Sequence, residues 1–307
     1  MKTFQLQERI GRIIYSQGKK YLYFSGTSYL GIDQLPEYES LLLKNIRKWG
    51  FNHGLSRINN IRLQVFEEFE EKFAKGAHAE AAAVVSSGYL AGISAWQHLF
   101  PPTNQCWIAP DTHPAILPEN LKPDFQLNFT QWKIQCLELA ETLLPQKILI
   151  LGNAVDPLRS EEHEYSWVKE IAKKHEVSLL IDDSHALGVL GEGIFGTYSK
   201  HDDPSINLLV SGSLGKGLAM PAGIILGRKK AIQEIKSKAM FIGASPGSPA
   251  NLQTFLDAQD IYLSQHRKIK ELSRSFYQQI QDLSTIFGIP NYPVFIYQNA
   301  QWAEKLE

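Results

Sequence analysis

Lys216 lies between Gly215 and Gly217, in a segment that follows the apolar run 208–210. Glycines let a loop bring its backbone close to a ligand. A lysine shielded from water in such a crevice has a lowered pKa and can act as a nucleophile, whereas the alternative is a surface lysine in a turn. A phosphate loop of the Gly-x-x-x-x-Gly-Lys-Ser/Thr type is excluded, because Val210 stands at its first glycine and Gly217 at its hydroxyl residue.

Asp182 follows the apolar run 177–181 and opens an Asp-Asp-Ser-His sequence that ends at His185. Burying a carboxylate at the end of a strand costs free energy unless a cation or hydrogen-bond donors lie beside it. The protonated ring nitrogen of a cofactor would be such a partner. A metal site, a hydrolase Asp–His pair and a helix cap are the alternatives. The metal site lacks a second His or Cys cluster nearby, and the hydrolase lacks a Gly-x-Ser-x-Gly elbow.

Two weaker signals accompany these residues. Residues 86–89 (Ser-Ser-Gly-Tyr) open a predicted helix after an apolar run. The free N–H groups and the dipole of a helix start attract an anion, although serine also begins many helices as a cap alone. His113 stands in an Asp-Thr-His-Pro sequence, where a structural histidine is the alternative to a functional one.

Together, these groups form the apparatus that pyridoxal 5'-phosphate (PLP) requires. The helix start would hold the phosphate, and Asp182 would keep the pyridine nitrogen protonated, so that the ring can accept electrons from a substrate carbanion. Lys216 would bind the aldehyde as a Schiff base and later move protons, with His113 near the ring. We therefore predict a PLP site whose catalytic residues are Lys216, His113 and Asp182.

Short apolar runs that alternate with helical patterns must position these side chains. The runs are residues 81–85, 106–109, 147–151, 177–181, 208–210 and 224–227. Continuous apolar strands are typical of a mostly parallel sheet buried on both faces, and ligands bind beyond the carboxyl ends of such strands. We predict an α/β fold in which helices sandwich a mostly parallel central sheet.

Further elements are predicted around this sheet. The helical patterns cover the first 20 residues and residues 37–49, 64–75, 166–175 and 248–283. A strand over 294–297 and the start of a helix follow. The predicted domains are an N-terminal arm and helix (1–50), a large PLP-binding α/β domain (51–250), and a linking helix with a partial, abbreviated C-terminal α/β domain (251–307).

The composition excludes several classes of protein. Apolar residues make up 44% of the 307 positions and the formal net charge is -1. This argues against a disordered chain and gives no electrostatic reason to expect nucleic acid or a membrane as a partner. No apolar run approaches the roughly 20 residues that span a bilayer, and no signal peptide is evident. Cys106 and Cys136 suggest neither a disulfide framework nor a metal site. We expect a cytoplasmic protein without a metal.

Several motifs stand in the same order as in a known family. Residues 182–192 (Asp-Asp-Ser-His-Ala-Leu-Gly-Val-Leu-Gly-Glu) are followed by 211–217 (Ser-Gly-Ser-Leu-Gly-Lys-Gly), and Tyr-Leu-Gly (29–31), Ser-Arg (56–57) and Ser-Ser-Gly-Tyr (86–89) precede them. In these motifs the sequence resembles the α-oxoamine synthase family. The resemblance covers most of the chain and implies a fold-type I PLP-dependent transferase of the aminotransferase class I/II superfamily.

The resemblance implies a role for each matching position. Lys216 would bind the cofactor as a Schiff base, Asp182 would pair with the pyridine nitrogen, and His185 would contact the ring hydroxyl. His113 would stack on the ring. The implied phosphate ligands are the backbone amides of Gly88 and Tyr89 and the hydroxyl of Ser213. The resemblance also implies a homodimer with a shared active site, in which residues 245–248 reach the phosphate of the partner subunit.

The sequence departs from the family pattern at several positions. The family usually has Asn where Thr27 stands and His where Phe66 stands. Asn153 replaces a Glu-Gly sequence, and aminotransferases of the wider fold place an Asn at about this point to contact the ring hydroxyl. Asn153 is therefore a predicted cofactor ligand that favours transamination. The family's substrate-carboxylate arginine has no counterpart, since only Arg267 and Arg274 follow Arg228.

These observations predict a PLP-dependent transferase that condenses an amino acid with an acyl-CoA through Lys216. One alternative is a PLP-dependent aminotransferase on the same scaffold, with a keto acid as acceptor, which Asn153 favours. The other is a degenerate PLP-binding protein without catalysis, which the short C-terminal part favours and the intact Lys216, Asp182 and His185 oppose.

Overall fold

The computed structural model describes residues 3–100 and 105–298. The strands are β1 (Ile13–Ser16), β2 (Lys19–Leu22), β3 (Ala81–Val85), β4 (Gln105–Ile108), β5 (Lys147–Asn153), β6 (Val155–Asp156), β7 (Glu161–Glu162), β8 (Glu176–Asp182), β9 (Ile206–Ser213), β10 (Gly223–Gly227), β11 (Ile286–Gly288) and β12 (Phe295–Tyr297). The helices are α1 (Pro36–Trp49), α2 (Val65–Ala77), α3 (Gly88–Leu99), α4 (Phe129–Thr142), α5 (Val168–Ala172), α6 (Tyr198–His201), α7 (Lys229–Lys236), α8 (Ala239–Gly243), α9 (Pro249–Asp257) and α10 (Gln259–Ile280).

The central sheet has six strands in the order β3-β10-β9-β8-β5-β4. Strands β4, β5, β8 and β9 pair in parallel. Strand β10 is inserted antiparallel between β9 and β3. Five of the six strands therefore run in one direction, which confirms the predicted mostly parallel α/β fold. The antiparallel insertion was not predicted, because an apolar run does not reveal the direction of its strand.

Both faces of this sheet are buried, as the unbroken apolar runs predict. Along β5, Ile148 and Ile150 contribute to one hydrophobic cluster, and the intervening Leu149 and Leu151 contribute to a second cluster on the other side. Side chains alternate between the faces of a strand, so a strand needs apolar residues at every position only when helices cover both faces. The six predicted strands of the sheet all form.

Three local predictions about helices are wrong. The N-terminal stretch forms the β1–β2 hairpin instead of a helix. Its two-residue turn places Gln17 and Gly18 at φ 50° and 72°, the left-handed geometry that suits a tight hairpin. The predicted helix over 248–283 is divided into α9 and α10 at Ala258, which leaves the helical region (φ −100°, ψ 20°). The helix predicted over 166–175 is reduced to α5.

The end of the described chain is a small hairpin. Strand β12 confirms the strand predicted over 294–297, and it pairs antiparallel with β11, which was not predicted. The helix expected after it lies outside the described residues. The domain boundaries stay predictions. Among the described residues, no helix is long and apolar enough to cross a bilayer.

Candidate active site

The polar residues predicted from the sequence meet at the carboxyl edge of the sheet. Asn153 is the last residue of β5 and Asp182 is the last residue of β8, and the two are paired across the strands. Asp182 is also paired with Ser211 near the end of β9. His113 follows β4, and Lys216 lies in the loop between β9 and β10. The register thus brings strand ends that are far apart in sequence into one row.

Lys216 and Asp182 form the reactive part of this edge. Burial lowers the pKa of the Lys216 ammonium, and the negative charge of Asp182 raises it by a smaller amount. The net shift is downward, so the amine loses its proton more readily than a surface lysine does. Asp182 is buried, and its Oδ1 accepts the Ser184 N–H at 2.8 Å. A half-buried amine beside a buried carboxylate fits the predicted Schiff-base lysine and ring-nitrogen partner.

His113 lies beside Asp182, with 3.8 Å between its Nδ1 and the Asp182 Oδ2. The same Nδ1 accepts the backbone N–H of Ala115 at 3.1 Å, at the start of a short 3-10 turn (Pro114–Ile116). This bond leaves the proton of a neutral ring on Nε2. The side chain is 44% exposed, so part of its surface is open to a ligand.

His185 is held by a tyrosine that the sequence analysis did not assign to the site. The Tyr29 hydroxyl lies 2.8 Å from His185 Nδ1, and it also lies 3.3 Å from the hydroxyl of the buried Tyr292. Burial, followed by the charges of Lys216 and His113, lowers the pKa of His185 to about 3. The imidazole is therefore neutral near pH 7.

A cradle for an anion forms where α3 meets the end of β9. Ser87 caps the helix, and its Oγ accepts the Leu90 N–H at 3.1 Å. The first N–H groups of a helix, here those of Gly88 and Tyr89, have no partner within the helix. Gly88 packs so closely on Ser213 that a Cβ at position 88 would lie 2.5 Å from the Ser213 Cβ. The structure therefore brings the three predicted phosphate ligands together.

Asn153 is buried, and its amide is engaged with the loop that carries His113. Its Nδ2 donates to the backbone oxygen and to Oδ2 of Asp111, at 2.5 and 3.0 Å. Its Oδ1 accepts the backbone N–H of His113 at 3.1 Å. A contact between Asn153 and a cofactor hydroxyl stays a prediction, and these bonds give the residue a second function as the holder of His113.

Arg57, which the sequence places among the family motifs, is fixed by protein groups. Its two terminal nitrogens bond to the two carboxylate oxygens of Glu70 at 3.1 and 3.2 Å, and its guanidinium lies 4.3 Å from the centre of the Phe66 ring. Lys236 completes the pairing of Glu70 at 2.7 Å. A cation that is held in this way supports the loop around it and has little freedom to follow a substrate.

The residues at this edge fit PLP. The α3 cradle that a Cβ at Gly88 would fill suits a phosphate, the buried Asp182 suits a pyridinium, and the amine of Lys216 suits an aldehyde. Within residues 3–100 and 105–298, no group of three or more His, Cys, Asp or Glu side chains is arranged to hold a metal ion.

Comparisons with known proteins agree with this chemistry. The family model "Aminotransferase class I and II" matches residues 28–303. An 8-amino-7-oxononanoate synthase from Petrotoga mobilis is 26% identical over 319 residues, covering 97% of this chain and 79% of that protein. A serine palmitoyltransferase from Bacteriovorax stolpii is 26% identical over 266 residues, covering 83% and 62%.

A solved structure extends the comparison to the fold. The serine palmitoyltransferase from S. paucimobilis, solved as a lysine variant with a bound PLP–myriocin aldimine, superposes with a TM-score of 0.75 at 15% identity. The superposition covers 95% of this chain and 75% of that one. The fold described above is therefore the fold of a known PLP-binding protein.

Proposed function

Because the chain belongs to the aminotransferase class I and II family, we propose that it is a PLP-dependent transferase that condenses an amino acid with an acyl-CoA. The relatives named for oxononanoate synthesis and serine palmitoyl transfer confirm the resemblance to the α-oxoamine synthases, and they favour this reaction over amino-group transfer. The observation that carries the proposal is the meeting of Lys216, Asp182 and the Gly88–Ser213 cradle at one edge of the sheet.

The chain's own residues have distinct tasks in this reaction. PLP, when bound, supplies an electron sink for a carbanion at the α-carbon of the amino acid. With PLP bound, the neutral amine of Lys216 would hold the aldehyde, and as a free amine it would be positioned to move a proton at the α-carbon of the substrate. Asp182 would hold a proton at the ring nitrogen, and the neutral His185 would offer a hydrogen bond to the ring hydroxyl.

The remaining groups orient the reactants. The N–H groups of Gly88 and Tyr89 and the hydroxyl of Ser213 would hold the phosphate, and the His113 ring would contact the ring of the cofactor. The new carbon–carbon bond joins the α-carbon to the acyl carbon, and the thiol of coenzyme A leaves with a proton. The α-carbon loses either its proton or its carboxylate in the process.

We also propose a homodimer with a shared active site. The segment that contains Ser56 and Arg57 exposes large apolar side chains, since Phe51 is 79% and Ile61 is 59% exposed. Tyr89, beside the cradle, is 55% exposed. Apolar surface next to a site supports an interface there. Light scattering of the purified protein tests this part: a monomeric mass at working concentration would contradict it.

The reaction is tested by following release of the coenzyme A thiol. Purified protein loaded with PLP is mixed with L-serine or L-alanine and a short- or long-chain acyl-CoA, and the condensed product is identified by mass spectrometry. We expect thiol release only when both substrates are present. Lys216→Ala should abolish it, while Lys230→Ala, which removes an exposed lysine of α7, should leave it unchanged.

The same samples separate the alternatives. Conversion of the bound cofactor to its amine form by the amino acid, with no thiol release when the acyl-CoA follows, would contradict the proposal in favour of the aminotransferase. PLP binding without either reaction in this panel, together with unchanged biological function of Lys216→Ala, would support the non-catalytic alternative.

A further inference from the structure

Behind His113 lies a buried polar network in which only Asn153 is a predicted cofactor contact. Its members are Asn153, Asp111 and His163, which come from the end of β5, the loop after β4 and the segment after β7. Asp111 Oδ2 accepts hydrogen bonds from both of its neighbours, from Asn153 Nδ2 at 3.0 Å and from His163 Nε2 at 3.0 Å. His163 and Asp111 are only 2% and 14% exposed.

The Asp111 carboxylate allows only one orientation of the Asn153 amide. In the observed orientation Nδ2 faces two oxygens of Asp111, and Oδ1 faces the N–H of His113. A flipped amide would place its oxygen against the Asp111 oxygens and its NH₂ group against the His113 N–H. Buried polar groups that oppose each other in this way lose their hydrogen bonds, which costs about 1 to 3 kcal/mol for each group.

His163 in turn fixes the Asp111 carboxylate. Its ring stacks on Phe129 with 3.8 Å between the centroids and 3° between the planes, which sets the direction of Nε2. The Asp111 carboxylate oxygen accepts in this hydrogen bond, so Nε2 of His163 carries the proton that is donated, and the buried Nδ1 has no hydrogen-bond partner among the described residues. The stacked ring, the carboxylate and the amide therefore form one chain that ends at the backbone of His113.

The His113 ring also has a hydrogen-bond partner of its own, besides the network that holds its backbone. Its Nδ1 accepts the Ala115 N–H, while its backbone N–H donates to Asn153. The ring is thus fixed through its own backbone on one side and through the 3-10 turn on the other. A shift of the Asn153 amide would move the point from which the ring projects.

We infer that His163 and Asp111 are positioning residues that set the placement of the His113 ring against the cofactor, acting through Asn153. The inference rests on the proposed function, because it assigns His113 to a PLP ring. It adds two residues that lie outside the predicted set of cofactor contacts. Neither touches the reacting atoms, so their effect should appear in the environment and affinity of the cofactor.

The test compares His163→Leu with His163→Gln in protein loaded with PLP. Leucine removes the donor, whereas the glutamine amide can present an N–H close to the position of His Nε2. His201→Leu is the matched control, because His201 is also buried, also contacts an aromatic ring, that of Tyr165, and has no hydrogen-bond partner among the described residues. The readouts are the visible circular dichroism of the bound cofactor, its dissociation constant, and the unfolding temperature of the cofactor-free protein.

For His163→Leu we expect a smaller visible dichroism signal and a dissociation constant for PLP that rises about two- to tenfold, the range for one lost hydrogen bond. In His163→Gln the dichroism signal and the dissociation constant should return to the wild-type values. His201→Leu should change only the unfolding temperature. If His163→Leu does not fold, Asp111→Ala with Asp111→Asn as its conservative partner gives the same comparison.

Two outcomes would overturn the inference. One rejects only the positioning role, and the other also rejects the proposed function. Visible dichroism and affinity equal to those of the wild type in the disruptive variants would reject the positioning role while leaving the proposed function intact. A wild-type protein that acquires no visible cofactor band with PLP would reject the proposed function together with the inference.

Discussion

The hydroxyl of Tyr29 lies 2.8 Å from Nδ1 of His185, and it also contacts the hydroxyl of Tyr292. Tyr29 precedes α1, and Tyr292 belongs to the segment between β11 and β12. A neutral imidazole carries one N–H, and its partner determines which nitrogen carries it. A segment before α1 therefore contacts the histidine predicted to bind the ring hydroxyl of PLP, and the segment between β11 and β12 contacts the tyrosine that holds this histidine.

This contact predicts the effect of Tyr29→Phe. Loss of the hydroxyl leaves the half-buried His185 without this partner at Nδ1, so we expect the dissociation constant for PLP to rise about two- to tenfold. Cofactor titration followed by absorbance measures the change. Tyr292→Phe is the matched control, because it removes only the longer outer contact and should have the smaller effect. Equal effects of both variants would contradict the role given to Tyr29.

Gly88→Ala tests the anion cradle. The new Cβ would lie 2.5 Å from the Ser213 Cβ, so α3 and β9 must separate, at a cost of about 1 to 3 kcal/mol. We expect weaker binding of PLP and a smaller change for pyridoxal, which lacks the phosphate. Gly243→Ala is the control, since a Cβ at position 243 would meet no neighbouring atom within 4 Å. Equal losses for PLP and pyridoxal would contradict a phosphate cradle at this place.

The pH dependence of cofactor capture tests the effect of the Asp182 charge on the pKa of Lys216. Imine formation needs the neutral amine, so the association rate of PLP should rise with pH through the pKa of Lys216, which burial places below the ordinary value of 10.5. Asp182 opposes this shift by its negative charge, so Asp182→Asn should move the midpoint to a still lower pH.

Stopped-flow absorbance at a series of pH values measures this midpoint. Asp203→Asn is a matched control, because it removes a carboxylate that precedes β9 at the opposite edge of the sheet. It should leave the midpoint unchanged. A midpoint that moves upward in Asp182→Asn would contradict the assigned sign of the interaction.

Asp183 predicts a pH-dependent stability. It is fully buried, and burial raises its pKa to about 6 from an ordinary value of 3.8, although its carboxylate accepts the N–H and hydroxyl of Thr197. Between these two pH values the folded protein holds the proton more strongly than the unfolded chain does. The free energy of unfolding contributed by Asp183 is therefore present in acid and declines as the pH rises toward 6, by on the order of 3 kcal/mol.

Asp183→Asn should remove this decline, because an amide does not titrate in this range. Urea unfolding of the wild type and the variant at several pH values between 4 and 7 gives the two free energies. We expect their difference to change with pH in the stated direction. A difference that is constant across the range would contradict the shifted pKa of Asp183.

Much of the site could be predicted from the sequence because its residues follow strand ends. Asn153, Asp182 and Lys216 each come after a mostly apolar run, and the carboxyl ends of parallel strands share one edge. The strand pairing brings these strand ends together as expected. The individual contacts of the three residues with the cofactor stay predictions.

The parts that the sequence did not reveal depend on contacts between distant segments. Tyr292 has no local pattern that points to Tyr29, and His163 lies in an irregular segment whose route past Asp111 follows only from tertiary packing. The hairpin at Gln17 and Gly18 was missed for a different reason. Its residues fit a helical period as well as an alternating one, and the turn geometry decided the outcome.

The position of β10 has a consequence for synthesis of the protein on the ribosome. Gly223 pairs with both Val85 and Ser213, so β3 can join the central sheet only after the chain through β10 has been made. The anion cradle also needs β10, because Gly88 follows β3, and β10 is the strand that joins β3 to β9, which carries Ser213. A nascent chain that ends before β10 should therefore be unable to capture PLP, and cofactor capture would report that translation has passed this strand.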